Sequence, residues 1–161
     1  MKIGIMADSH DNLPKIRAAM ELFEREGVGL ILHAGDFVAP FAVRAMHDAP
    51  CRVVAVFGNN DGERIGLSRA FEPIGEVHPR IAVVEADGKR VGVVHQDELV
   101  APIAAGNALD VLVYGHTHRL DIRREGQVLV VNPGEVGGWL TGKCTVVILD
   151  TQTMEPRVWE V

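Results

Sequence analysis

Short apolar runs alternate with amphipathic stretches through the first part of the chain. Residues 2 to 7 form a run that stops at Asp8, and residues 13 to 26 then set Leu13, Ile16, Ala19, Met20 and Phe23 at helical spacing. Asn12 is placed to cap that helix, Pro14 suits its first turn, and Gly27 and Gly29 end it. The pattern repeats with a strand over Val28 to Leu32, a loop around Gly35-Asp36 and a helix from about Pro40 to His47. A third strand, Arg52 to Phe57, runs into Gly58-Asn59-Asn60-Asp61. Continuous apolar runs separated by helices predict parallel strands covered on both faces.

From residue 74 onward strand signals dominate. Residues 74 to 85 and 89 to 94 read as strands joined at Asp87-Gly88, a two-residue hairpin signal. Residues 98 to 106 read as helix and Val111 to Tyr114 as another buried strand. A second hairpin spans 120 to 131 around Glu125-Gly126, and 144 to 149 and 156 to 160 complete the strands. The expected architecture is α/β: a four-layer αββα sandwich in which two mixed sheets pack face to face with helices outside, as one domain over residues 1–161. Periodicity alone also allows one open doubly wound sheet.

Composition narrows the function. A chain of 161 residues fits one domain with a real core, and with 47% apolar but only 5% aromatic residues that core must be built from Val, Ile, Leu and Ala. The net charge of −6 and the absence of a basic run exclude a broad electrostatic grip on long nucleic acid. A small anionic substrate then needs a local positive centre, which bound divalent cations supply. The apolar run at the N-terminus is too short for a signal sequence, and no later segment approaches a membrane span. Cys51 and Cys144 form no disulfide framework and read as buried core thiols, in keeping with a cytoplasmic setting.

The candidate chemistry collects at one kind of position. Asp8 with His10, Asp36, Asn59, His95, and His116 with His118 each follow directly on a predicted strand. In α/β sheets the carboxyl ends of the strands surround the ligand crevice, so scattered groups can converge there. Together they outnumber the protein ligands of one metal. Carboxylates, imidazoles and a carboxamide without sulfur suit Mn, Fe, Zn, Ni or Co. A carboxylate can bridge two cations, and Asp36 is assigned that bridge. A cation pair would polarise a phosphoryl group and acidify a bridging water, giving hydrolysis without a protein nucleophile. No Gly-x-Ser-x-Gly elbow, P-loop or dinucleotide fingerprint competes.

Asp8-Ser9-His10, Gly35-Asp36, Gly58-Asn59-Asn60-Asp61, His95, Gly115-His116-Thr117-His118 and Asn132-Pro133-Gly134 together resemble the ordered motif set of the calcineurin-like metallophosphoesterases. The small size and the Asp-Asn after His10 are similar to the compact prokaryotic phosphodiesterase branch that includes archaeal and YfcE-like enzymes. The resemblance implies that Asp8, His10, Asp36 and His118 hold a first metal and Asp36, Asn59, His95 and His116 a second. It also implies two divalent ions, Mn²⁺ foremost with Ni²⁺, Fe²⁺, Zn²⁺ or Co²⁺ as alternatives. The implied reaction is hydrolysis of a small phosphodiester or other phosphate ester by a metal-bridging hydroxide, with Asn59 and Asn60 acting at the phosphoryl group. Three departures stand out. Asn60 occupies a position where many relatives carry His, removing a general acid that contributes about a hundredfold or more, although its amide can still donate to a phosphoryl oxygen. His95 is followed by Gln96-Asp97 where relatives often carry Gly and His, and Glu135 replaces a commoner Ser, adding negative charge near the site.

Other polar residues have simpler explanations. His33 reads as structural or as support for a ligand, Asp61 as a partner of a ligand or of loop backbone, and Asn132 as orienting a ligand or capping a turn. Asp11 reads as solvent-exposed, and His47 and His78 as surface residues. Trp139 flanks the site, packs in the core or makes a subunit contact in a homo-oligomer. Arg119, Arg123 and Arg124 are the basic residues nearest His118, with a solvated face as the default. The same fold also serves as a protein-binding scaffold in the small retromer subunit, where the His of the first pair is replaced; this chain keeps His10. A nuclease or cyclic-nucleotide phosphodiesterase is a further alternative.

Overall fold

The computed structural model describes residues 1–161. Strands β1 (Lys2–Met6), β2 (Leu30–His33), β3 (Val53–Val56) and β4 (Gly75–His78) run parallel, and β10 (Thr145–Asp150) and β11 (Glu155–Glu160) extend the sheet antiparallel beyond β1. The order of this six-stranded sheet is β11-β10-β1-β2-β3-β4. A second, five-stranded sheet has the order β5-β6-β7-β9-β8, from β5 (Ile81–Ala86), β6 (Lys89–Val94), β7 (Val111–Val113), β8 (Leu120–Glu125) and β9 (Val128–Pro133). Both sheets are mixed.

Period-two alternation sorts each strand onto two buried faces. Ile3, Ile5, Leu30, Leu32, Val54 and Val56 point into the layer shared with the second sheet, where they meet Val91, Val93, Val111, Val113, Leu129 and Val131. Met6, Ile31, Val53 and Ala55 point the other way, against α1 (Leu13–Arg25), α2 (Pro40–Arg44) and α3 (Arg64–Phe71). A separate cluster seats α4 (Val100–Ala105) on the outer face of the second sheet through Val100, Ala104, Leu112 and Val130. The layers are therefore helix, sheet, sheet, helix, as expected. Val, Ile, Leu and Ala fill the middle layer without a single aromatic, in keeping with the composition.

Several boundaries differ from the sequence reading. Residues 74 to 85 are not one strand. β4 joins the first sheet and β5 the second, with the chain leaving one for the other at Pro79-Arg80, where proline has no N–H to continue the ladder. Helix α3 is an additional element, marked in the sequence only by Leu67 and Phe71, four residues apart and buried. The hairpin between β8 and β9 turns at Gly126-Gln127 rather than Glu125-Gly126. Cys51 and Cys144 are free but only partly buried, not core thiols, and burial raises the pKa of both. No helix is long and apolar enough to cross a membrane.

Candidate metal centre

Register sets the strand ends level: Met6 pairs with His33, His33 with Ala55, and Val93 with Val113. The residues that follow then emerge at one end of both sheets. The loops there are tied to each other by backbone hydrogen bonds from Asp8 N to Gly35 O, His10 N to Asp36 O and Gly115 N to His95 O. Their backbone is unusual. Asp8, His10, Asp36, His116 and His118 all adopt positive φ, between 38° and 67°. Asp and His tolerate this region better than most residues, and its concentration at a candidate site is the pattern expected of functional loops. Val38, a β-branched residue with φ 83°, is the more costly case, and its N–H is held by Asp61 Oδ1 at 2.8 Å.

All seven expected ligands converge. Ligand atoms of Asp8, His10, Asp36 and His118 lie within 4.8 Å of one another. Around the other expected set, Asn59 Oδ1 is 2.8 Å from His95 Nε2 and 2.9 Å from His116 Nδ1. Asp36 connects the two groups, its Oδ2 lying 3.5 Å from His10 Nε2 and 3.6 Å from His95 Nε2. Asp8, Asp36 and His95 form a buried floor, while Asn59, Asn60 and His116 are exposed at the rim where a substrate must arrive. Asn60 turns inward on Asp36, donating from its backbone N–H to Oδ1 at 2.8 Å and from its amide to Oδ2 at 2.7 Å.

The donor set fits divalent cations on two grounds. First, burial, then the neighbouring Asp36 carboxylate, push the Asp8 carboxyl up to about 8 in the metal-free fold. Paired buried carboxylates of this kind need a compensating positive charge. Second, His10 Nε2 is buried and has no hydrogen-bond partner, an orphaned ring nitrogen 4.0 Å from Asp8 Oδ1 and 3.5 Å from Asp36 Oδ2. One imidazole, His95, is also prepared as a neutral ligand. His95 Nδ1 is 2.8 Å from Ala34 O, so a proton there leaves the Nε2 lone pair directed at the site, toward Asn59 Oδ1 and Asp36 Oδ2, and burial lowers its pKa against the opposing pull of Asp36.

Supporting residues resolve the remaining expectations. His33 is buried, hydrogen-bonds Ser9 Oγ and accepts from Gly35 N; burial, then His95, hold its pKa well below the ordinary value, and it plays a structural part. Asp61 accepts from the backbone N–H of Asp36, Val38 and Gly58. Asn132 donates to Gly115 O and Thr117 Oγ1, fixing the loop that carries both final histidines. Asp11 is not simply solvated: its Oδ1 accepts from Ala39 N at 3.0 Å. His47 is exposed, and partly buried His78 lies 3.1 Å from Glu76 Oε1. Trp139 is 65% exposed, outside the core, and its Nε1 donates to His10 O.

Glu135 does more than add charge near the site. It is fully buried, accepts from His118 Nδ1 at 2.9 Å, and accepts from the N–H groups of Trp139, Leu140 and Thr141 and from the Thr141 hydroxyl. Burial alone would raise its pKa, but hydrogen bonds from His118, Thr141 and Leu140 outweigh this and hold it below the usual value. The only sequence signal was a carboxylate directly after Asn132-Pro133-Gly134.

Comparison with known proteins identifies the family. Residues 1–154 match the model of the calcineurin-like phosphoesterase superfamily domain. The chain is 42% identical to phosphodiesterase MJ0936 of Methanocaldococcus jannaschii over 98% of its own length and 97% of that protein's. It is 30% identical to phosphodiesterase YfcE of Escherichia coli K12, covering 84% of this chain and 79% of that one. A solved structure of an archaeal phosphodiesterase superposes with a TM-score of 0.95 at 38% identity, over 100% of both chains. With matches of this extent, the chain belongs to the calcineurin-like phosphoesterase superfamily.

Proposed function

We infer that the protein is a metal-dependent phosphoric ester hydrolase that cleaves small phosphodiesters. The carrying observation is the position of Asp36, a buried carboxylate with Oδ2 approached by imidazoles of both donor groups. We assign Asp8, His10, Asp36 and His118 to one cation and Asp36, Asn59, His95 and His116 to the other. Mn²⁺ is the first ion to test, because the N/O donor set without thiolate suits it. When bound, two cations supply Lewis-acid polarisation of the phosphoryl group and an acidified water.

The chain's own residues do the rest. Asp61 and Asn132 hold the ligand-bearing loops through backbone, and Glu135 orients the His118 ring so that Nε2 faces Asp8 at 3.6 Å. Exposed Asn59 and Asn60 meet the incoming phosphoryl group, Asn60 through an amide donor once it leaves Asp36. No imidazole stands at position 60 to protonate a leaving oxygen, which favours esters with good leaving groups. Retention of every donor argues against a scaffold role, and two unbridged cysteines accord with work in the cytoplasm.

Hydrolysis of bis-p-nitrophenyl phosphate in Mn²⁺ by the wild type, Asp36→Asn and His95→Ala proteins tests the reading. The wild type should turn over and both variants should lose on the order of a hundredfold or more. Silence of the wild type in every divalent metal, or full activity of Asp36→Asn, would overturn it.

A further inference from the structure

A groove of about 470 Å³ lies beside the metal ligands, between β8 at the edge of one sheet and β11 at the edge of the other. Leu120 opens β8 and Glu160 closes β11, so the groove sits at the same end of the sheets as the ligands. His118 belongs to both, lining the groove and the first donor group. Leu120 and Val158, 48% and 43% exposed, give the groove apolar walls.

Its charges are uncommitted. Arg119 and Lys143 line the groove, and their side chains enter no ion pair or hydrogen bond; only their backbone groups do, with Thr117 and Thr141. Arg123, by contrast, is paired with Asp121 and Glu125. The hydroxyls of Thr141 and Thr145 already donate to Glu135 and Pro133 O. One carboxylate, Glu160, lines the same groove as Arg119 and Lys143. A chain of net charge −6 thus keeps a free cationic pair next to the site where a phosphate is expected.

Building on the phosphodiesterase reading above, we propose that this groove receives the second ester arm of the substrate and selects arms that end in a phosphate. Arg119 and Lys143 bind the terminal phosphate, and Leu120 and Val158 cover the body of the arm. A volume of about 470 Å³ lies within the ~300–1,000 Å³ usual for small-molecule sites and admits a nucleoside-sized arm.

The test uses two chromogenic esters that differ by one group: thymidine 5′-(p-nitrophenyl phosphate) with and without a 3′-phosphate, in Mn²⁺, beside bis-p-nitrophenyl phosphate as reference. The 3′-phosphate should lower KM about tenfold, the equivalent of one well-placed charged contact. The advantage should shrink as NaCl rises, because exposed charges are screened. In the Arg119→Gln/Lys143→Gln protein, checked for an unchanged melting temperature, the ratio of kcat/KM between the two esters should fall toward one. Equal KM values for the two esters with the reference ester turned over, or a ratio untouched by salt and by the double substitution, would overturn the proposal alone. Failure to turn over the reference ester would overturn the phosphodiesterase reading and this proposal with it.

Discussion

Gly58→Ala is the substitution whose consequence the structure specifies most closely. A Cβ at residue 58 would lie 2.0 Å from Asp36 Oδ1 and 2.5 Å from Asp36 N, where ordinary contact begins near 3.4 Å. The carboxylate must therefore retreat by about 1.4 Å, or the backbone of residue 36 must move. The backbone has little room, because its N–H is fixed on Asp61 Oδ2 at 3.0 Å, the atom that also holds Gly58 N at 2.7 Å. Site geometry tolerates about 0.5 Å before function suffers, and a displacement of about 1 Å can cost a hundredfold in rate. Since Asp36 serves both donor groups, Mn²⁺ affinity should weaken at both sites, by roughly 10- to 100-fold, with a similar or larger loss in turnover. Calorimetric Mn²⁺ titration of wild type and variant, with melting curves of both metal-free proteins, measures this. Wild-type Mn²⁺ affinity and activity in Gly58→Ala would refute the argument that Asp36 is held in place by the missing side chain.

Further consequences can be checked in the same way. Asp61→Ala leaves three backbone donors without their acceptor and should lower stability by about 3–5 kcal/mol in denaturant titrations; a loss below about 1 kcal/mol would show that water replaces the carboxylate freely. Glu135→Gln presents amide hydrogens to a ring of donors and should cost about 2–4 kcal/mol, weaken Mn²⁺ binding and alter the fluorescence of Trp139, whose N–H it holds. Unchanged melting and emission would separate Glu135 from the loop. The metal-free protein should also respond to pH. Asp8 has a folded value of about 8 against 3.8 unfolded, so the folded state binds the extra proton between them and stability falls as pH rises across that window. A cation displaces that proton, so Mn²⁺ titrations near pH 7 in buffers of different ionisation enthalpy should report release of close to one proton. Heats independent of buffer would contradict it.

The strands and the places where polar groups collect were legible from periodicity, whereas the choice of two sheets over one open sheet and the grouping of the candidate ligands rested on the motif resemblance. Ile3, Ile5, Leu30 and Leu32 announce two-sided burial, and each donor stands just past the end of such a run, where register then aligns it. Asp61 and Asn132 could be named as supports but not assigned, since several of their partners, the N–H groups of Asp36 and Val38 and the carbonyl of Gly115, lie far along the chain. The break at Pro79 was hidden because both flanking segments have strand character and only the partner sheet differs. Glu135 was misjudged for a similar reason: a buried carboxylate is recognised by its donors, and four of its five come from a loop, residues 139 to 141, without periodic pattern. Exposure of Trp139 and partial exposure of Cys51 and Cys144 likewise depend on what covers them, which a local pattern does not encode.

Anomalous diffraction from Mn²⁺-soaked crystals, collected at the manganese edge, tests the central claim directly. The account predicts two peaks flanking the Asp36 carboxylate, one among Asp8, His10 and His118 and the other among Asn59, His95 and His116. A single peak remote from Asp36, or none at saturating Mn²⁺, would contradict it.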